Sequence, residues 1–174
     1  MTPFCFEHVF LAPSTAAVLQ AYFSAEHQAE QDRAVAISER EILELVEGED
    51  AVHRVSRIVP RRQLPAVLRP FSSGPLHYLE TVTWRRHANE IAIEIRPSLM
   101  GGRARIKATY RLDQIAPGSI RRRYAGEVSV DVALLANRVE RGIVADFERS
   151  MPLAASATQA WLDRQTGSSV AARA

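Results

Sequence analysis

Residues 132–162 read VALLANRVERGIVADFERSMPLAASATQAWL, and the reading of this stretch decides the fold. From about Leu135 to Arg164 the side chains of Val139, Ile143, Phe147, Met151, Ala154, Thr158 and Trp161 recur every three or four positions, the spacing of one face of a long helix. Pro152 lies inside that span and removes one backbone donor, so a bend is expected there. Just upstream the period changes from helical to two. A sheet that ends where a long one-faced helix begins implies that the helix covers the concave side of the sheet and closes a cavity.

The strictest alternation is at Arg103 to Asp113, where Ala104, Ile106, Ala108, Tyr110 and Leu112 alternate with Arg103, Arg105, Lys107, Thr109 and Arg111, as a strand with one buried and one wet face requires. Working outward, strands are predicted at Val35 to Val46, Ala51 to Val59, Leu76 to Arg86, Glu90 to Arg96 and Ser119 to Val132. Turn-rich segments at residues 47–50, 87–89, 97–102 and 114–118 separate most of them, so these strands form an antiparallel meander of six. Pro60 to Pro75 carries Leu64, Val67, Leu68 and Phe71 and reads as a loop that folds onto the protein. At the front, Phe4 to Leu11 alternates as a further strand, and Ser14 and Ser24 are placed to N-cap two short helices, to Phe23 and from Ala25 to Arg33. The closing TGSSVAARA predicts a disordered tail at 166–174 behind one folded domain at 1–165.

Composition excludes several classes. A chain of 174 residues with 47% hydrophobic and 24% charged residues suits one globular domain with a core of its own. Cys5 is the lone cysteine, which rules out an intrachain disulfide and a thiolate metal cluster. Glu7 and His8 interrupt the N-terminal segment where a signal peptide needs a smooth apolar stretch, and no apolar run is long enough to span a bilayer. A cytoplasmic location and no integral membrane segment are therefore expected. The net charge of +2 is too small to announce a nucleic-acid partner. The histidines at 8, 27, 53, 77 and 87 lack ligand spacing, and phosphate-binding and nucleophile motifs are absent, so no metal and no cofactor are expected.

One strand, two short helices, six further strands and a long C-terminal helix is the order of the α+β helix-grip fold, a curved antiparallel sheet of about seven strands wrapped around the last helix. The chain resembles the START and Bet v 1-like superfamily, SRPBCC. Within it, LETVTW at 79–84 and VSVDVALLANRVERGIV at 128–144 resemble the bacterial DUF2505 family, in which a segment V-P-L-x-G-x-x-x-E precedes the final helix. Here Ala133 stands for the proline and Ala136 for the glycine. The resemblance implies a hydrophobic cavity that takes up lipids, sterols or polyketide-like molecules; it carries no reaction with it.

Alternation assigns to the concave face Phe6, His8 and Phe10, then Tyr78, Glu80, Val82 and Trp84, then Ile91, Ile93 and Ile95, then Ile106 and Tyr110, then Tyr124, Val128 and Val130, with Phe147 and Met151 of the helix above them. The ligand-binding set drawn from these is Phe6, His8, Phe10, Tyr78, Glu80, Val82, Trp84, Ile93, Tyr110, Tyr124, Phe147 and Met151, and no catalytic residue is assigned. Plain core filling accounts for the same pattern taken residue by residue. The polar members say more, because a buried charge needs a partner. Glu80 with an arginine, Arg54 or Arg122 being on or near the same face, makes either a structural ion pair or an anchor for a ligand head group; with His8 it would make an acid and base pair. The opposite face is basic at Arg103, Arg105, Lys107, Arg111, Arg121 and Arg123, diluted by Glu94, Glu127 and Asp131. Binding of a small hydrophobic ligand without catalysis leads these readings; a polyketide cyclase or aromatase-type enzyme and a surface module using the basic face are the alternatives.

Overall fold

The computed structural model describes residues 1–61, 74–132 and 135–171. β1 (Thr2–Leu11) is followed by α1 (Thr15–Phe23) and α2 (Ala25–Ala34). Six strands come next, β2 (Ile37–Glu47), β3 (Ala51–Pro60), β4 (Tyr78–Arg85), β5 (Glu90–Pro97), β6 (Ala104–Ala116) and β7 (Ser119–Val130), then α3 (Ala136–Ala171). A single 3-10 turn, Leu99–Gly101, lies between β5 and β6. The expected order of elements is observed; residues 62–73 of the expected Pro60 to Pro75 loop lie outside the described residues.

Local chemistry places the two short helices. Ser14 Oγ accepts from Ala17 N at 3.2 Å and Ser24 Oγ from His27 N at 3.3 Å, while the Ser24 N–H donates to Ala21 O at 3.1 Å. One serine thus ends α1 and starts α2, and no loop separates them.

The strands form one curved antiparallel sheet in the order β1-β7-β6-β5-β4-β3-β2. β1 reaches back across the chain to β7, with Thr2 opposite Val128 and Leu11 opposite Ser119. The alternation of β6 is kept in full, and Ala104, Ile106, Ala108, Tyr110 and Leu112 are all buried. In the middle of β7, Gly126 sits opposite Ala108 and Phe4. A Cβ there would come within 2.1 Å of Lys107 O and 2.7 Å of Ala108 Cα, so β6 and β7 bend tightly together where a side chain is missing. β2 behaves differently. Its register shifts between Ile37 and Glu39 and again between Ile42 and Glu44, and Ile42, Leu43, Leu45 and Val46 of this edge strand are exposed.

α3 is tied to both ends of β1. At one end the buried Glu140 carboxylate accepts from Thr2 Oγ1 at 2.8 Å, from Val130 N at 3.0 Å and from the Met1 amino group at 2.8 Å. At the other the Gln159 amide answers both backbone groups of Leu11, accepting from its N at 2.9 Å and donating to its O at 3.1 Å. The helix between these anchors is about 28 Å long at about 1.5 Å per residue. β1 between Thr2 and Leu11 is about 30 Å long at about 3.3 Å per residue, so α3 lies along it. Val139, Ile143, Ala154 and Thr158 of the expected stripe are buried, whereas Phe147, Met151 and Trp161 are only partly so. Pro152 is on the exposed side, and the helix continues through it. It also continues to Ala171, through the first part of the stretch whose composition predicts no structure, with residues 163–167 exposed; extending a formed helix costs little per residue.

Two buried groups on the α2–α3 and β1–α3 contacts set an acid limit to stability. His27 Nε2 lies 3.0 Å from Thr158 Oγ1, whose own proton goes to Ala154 O at 2.9 Å, so the imidazole donates there. Burial holds His27 below its ordinary value. Burial pushes Glu140 up, but the donations from Met1, Thr2 and Val130 outweigh it and hold the carboxyl below the usual range. For both, the folded protein binds fewer protons than the unfolded chain; their contribution is complete above the unfolded pKa and is lost as pH falls toward the folded one. The melting temperature should therefore be level above about pH 7, fall below about pH 6.5 and fall again below about pH 4.5. Melting curves across that range check it, and His27→Gln should shrink the first step; a level curve from pH 7.5 to 5.5 would contradict the assignment.

Candidate functional site

The side chains on the concave side of the sheet meet the helices at one end and not at the other. Toward α1 the space is filled: the Tyr22 ring lies 5.1 Å from that of Tyr110, Phe23 stacks on Trp84 at 5.2 Å, and the Arg54 guanidinium lies 5.8 Å and 5.7 Å from the Tyr22 and Phe23 rings. Beneath the middle of α3 a cavity of about 230 Å³ remains. Ile58, Tyr78, Glu80, Ile95, Ile106 and Tyr124 line its sheet side, and Ile143, Phe147, Met151 and Ala154, with Asp146 and Ser150, its helix side. The end of α2 and the start of β2 close a third side through Gln31, Asp32, Val35, Ile37 and Arg40.

The polar groups of this wall form one network. Arg40 makes a fork to Asp32, Nε to Oδ2 at 2.8 Å and Nη2 to Oδ1 at 2.9 Å, and its Nη1 reaches Glu80 Oε1 at 2.9 Å. Arg54 Nη2 approaches the same Glu80 oxygen at 3.8 Å. Burial opposes the Arg40 charge, but the two carboxylates outweigh it and hold the guanidinium above its ordinary value. Burial also pushes up the phenols of Tyr78 and Tyr124, with the field of Asp146 adding at Tyr78 and that of Glu80 at Tyr124. Both phenols keep their protons at neutral pH and serve as hydrogen-bond donors, not bases.

Of the residues assigned to ligand binding from alternation, Tyr78, Glu80, Tyr124, Phe147 and Met151 meet in the cavity. Val82, Ile93 and Tyr110 do not; they belong to the packed core. Trp84 is held by Phe23 and by donation from its Nε1 to Ala88 O at 2.8 Å, and Phe6 stacks on Phe4 at 5.7 Å. His8 and Phe10 go to a second buried arginine. Arg122, 3% exposed, donates from Nη2 to His8 Nδ1 at 2.6 Å and lies 5.4 Å from the Phe10 ring and 5.8 Å from that of Tyr110. Burial first, and then the Arg122 charge, hold His8 below its ordinary value, so it is a neutral acceptor. The acid and base pair of His8 with Glu80 is not formed: β1 and β4 are four strands apart in the sheet, about 19 Å at about 4.8 Å per strand.

Arg40 was not readable as a site residue, because the register shifts of β2 hide which of its side chains face inward, and Asp32, at the end of α2, enters the site only as its partner. Asp146 and Ser150 carried a usable signal: they stand beside Phe147 and Met151 on the helical stripe. On the opposite face of the sheet the basic residues are largely paired, Arg105 with Glu94 at 3.3 Å, Arg111 and Arg121 with Asp113 at 3.2 Å and 3.5 Å, and Arg123 with Glu7 at 3.7 Å.

A curved seven-stranded sheet around a long C-terminal helix, with a cavity between them, is the helix-grip architecture. The fold is similar to that of the aromatase/cyclase Zhui from Streptomyces sp. R1128, at 13% identity and a TM-score of 0.64 over 94% of each chain. It is also similar to a START superfamily protein from Mycobacterium smegmatis, at 10% identity and a TM-score of 0.61 over 95% of this chain and 99% of that one. Dicamba monooxygenase bound to 3,6-dichlorosalicylic acid matches 97% of this chain with 52% of its own, at 11% identity and a TM-score of 0.68. Residues 8–162 match the family described as "Protein of unknown function (DUF2505)", and the chain belongs to it. No curated protein matches the chain.

Proposed function

We propose that the protein binds a small hydrophobic molecule in the cavity between the sheet and α3. The observation that carries this reading is that Phe147 and Met151 face Ile58, Ile95 and Ile106 across about 230 Å³ that they do not fill. Protein interiors are close-packed, and voids larger than a water are few. A partly apolar cavity of this size is the usual design of a binding site. The fold likeness to a START superfamily protein supports it. Native mass spectrometry of the purified protein, before and after denaturing extraction, tests it directly, the expected result being a retained small molecule that denaturation releases.

Filling the space gives a sharper test. Ala154 is buried and lines the cavity, whereas Val82 is fully buried in the core outside it. Ala154→Phe should keep the melting transition, with a cost below about 1.5 kcal/mol, because its ring enters open space. It should weaken binding of an environment-sensitive hydrophobic dye by about tenfold or more. Val82→Phe should cost about 1–3 kcal/mol by overpacking and leave dye uptake by the folded fraction unchanged. No dye uptake by the native protein would end the ligand-binding reading.

The fold likeness to an aromatase/cyclase favours a second reading, in which the same cavity shapes a reactive chain. With His8 elsewhere, proton transfer there would fall to Glu80, already engaged by Arg40, and to the two phenols. The paired state of the outer arginines speaks for a solvated surface over a binding module.

A further inference from the structure

The charges around the cavity are spoken for. Both Asp32 oxygens are taken by Arg40, whose remaining nitrogen goes to Glu80 at 2.9 Å, and Asp146 at the helix side pairs with Arg149 at 2.9 Å. Arg40 is the one cation among the described lining residues, and it faces carboxylates on two sides. An anionic ligand would find no free counter-charge there. The lining carboxylates Asp32, Glu80 and Asp146 outnumber that arginine, so the wall discriminates against anions.

Two neutral groups are left over. Neither the Tyr78 nor the Tyr124 hydroxyl has a hydrogen-bond partner among the described residues, and both residues line the cavity. Tyr124 is 6% exposed, with its ring fixed 5.5 Å from Phe4 and 6.2 Å from Phe147. Both hydroxyls are open to the cavity, so an oxygen supplied by a ligand can accept from them in place of water. Size narrows the class. An apolar cavity of about 150 Å³ admits benzene, so about 230 Å³ suits one or two rings.

Resting on the ligand-binding reading above, we propose that the cavity takes an uncharged molecule of one or two rings bearing a hydroxyl or carbonyl oxygen, which accepts from the Tyr124 or Tyr78 hydroxyl, and that it rejects the carboxylate of the same shape. The wall network then acts as a filter against anions, since burying an anion with no counter-ion costs several kcal/mol.

The test uses three probes on one ring system, naphthalene, 2-naphthol and 2-naphthoate, in equilibrium dialysis against the full chain at pH 7. 2-Naphthol should bind at least about tenfold more tightly than 2-naphthoate. Tyr124→Phe keeps the ring and removes the oxygen, and Tyr78→Phe does the same across the cavity. At least one of them should weaken 2-naphthol about five- to tenfold and leave naphthalene unchanged. 2-Naphthoate binding as tightly as 2-naphthol, or 2-naphthol indifferent to both variants, would overturn the proposal while leaving the cavity a binding site. If none of the three probes binds, naphthalene included, the binding reading falls and the charge filter with it.

Discussion

A Gly126→Val variant is expected to be recovered unfolded or aggregated. The atoms that a Cβ at this position meets, Lys107 O at 2.1 Å and Ala108 Cα at 2.7 Å, are backbone of the neighbouring strand and cannot rotate away. The β6–β7 pairing must open to admit a side chain, which breaks ladder hydrogen bonds in the middle of both strands and lifts Tyr124 from Phe4 and Phe147. A cost of about 4 kcal/mol or more is a large part of the roughly 5–15 kcal/mol that holds a domain folded. Gly126→Ala, with the same first atom, should also lower the urea midpoint strongly. An unfolding free energy within about 0.5 kcal/mol of the parent would show that the strands do not approach so closely.

Removing α3 should have the other large effect. A chain ending before Asn137 loses Val139, Ile143, Ala154, Ala155 and Leu162 from the buried core, together with the Glu140 and Gln159 anchors on β1. Val139, Ile143 and Leu162 alone are worth roughly 1.5–3 kcal/mol each, about 4.5–9 in sum, which is comparable to the roughly 5–15 kcal/mol that holds a domain folded; the packing of Phe147, Met151 and Trp161 goes with them. The expected product is insoluble, or soluble without a cooperative melting transition. Deleting residues 166–174 should leave melting unchanged, since residues 166 and 167 are exposed and the last buried side chain described on α3 is Leu162. A cooperatively melting chain that ends before residue 137 would refute the architecture.

The fold was legible wherever periodicity and capping are local properties. β6 alternates without interruption, Ser14 and Ser24 announce two helix starts, and the stripe of α3 points inward as its spacing requires. The facing of Tyr78, Glu80 and Tyr124 followed from the same alternation. What alternation cannot convey is where two faces fail to touch. Tyr110 and Tyr124 share one side of the sheet, yet one is covered by Tyr22 and the other borders open space, because α1 reaches only part of the concave face. Arg40 stayed hidden for a different reason: two register shifts in β2 break the period that would have turned it inward. Of the two arginines expected near Glu80, Arg54 approaches it at 3.8 Å and Arg122 goes to His8; the shorter contact, from Arg40 at 2.9 Å, was not foreseen.

The pairing of β1 with β7 bears on how the chain is made. Among the described strands of the sheet β1 is the first to be made, and its partner, residues 119–130, is the last. At about 5–20 residues per second, β7 follows roughly ten seconds behind. Throughout that interval Phe4, Phe6 and Phe10 have neither the strand beside them nor the helix above them, because both lie further along the chain. The hairpins from β2 to β6 can pair as they emerge, but the sheet closes only once β7 has been made. Translation therefore passes through a stage in which an aromatic strand waits unsheltered, and a chain stalled short of residue 119 presents that strand to whatever holds nascent proteins apart.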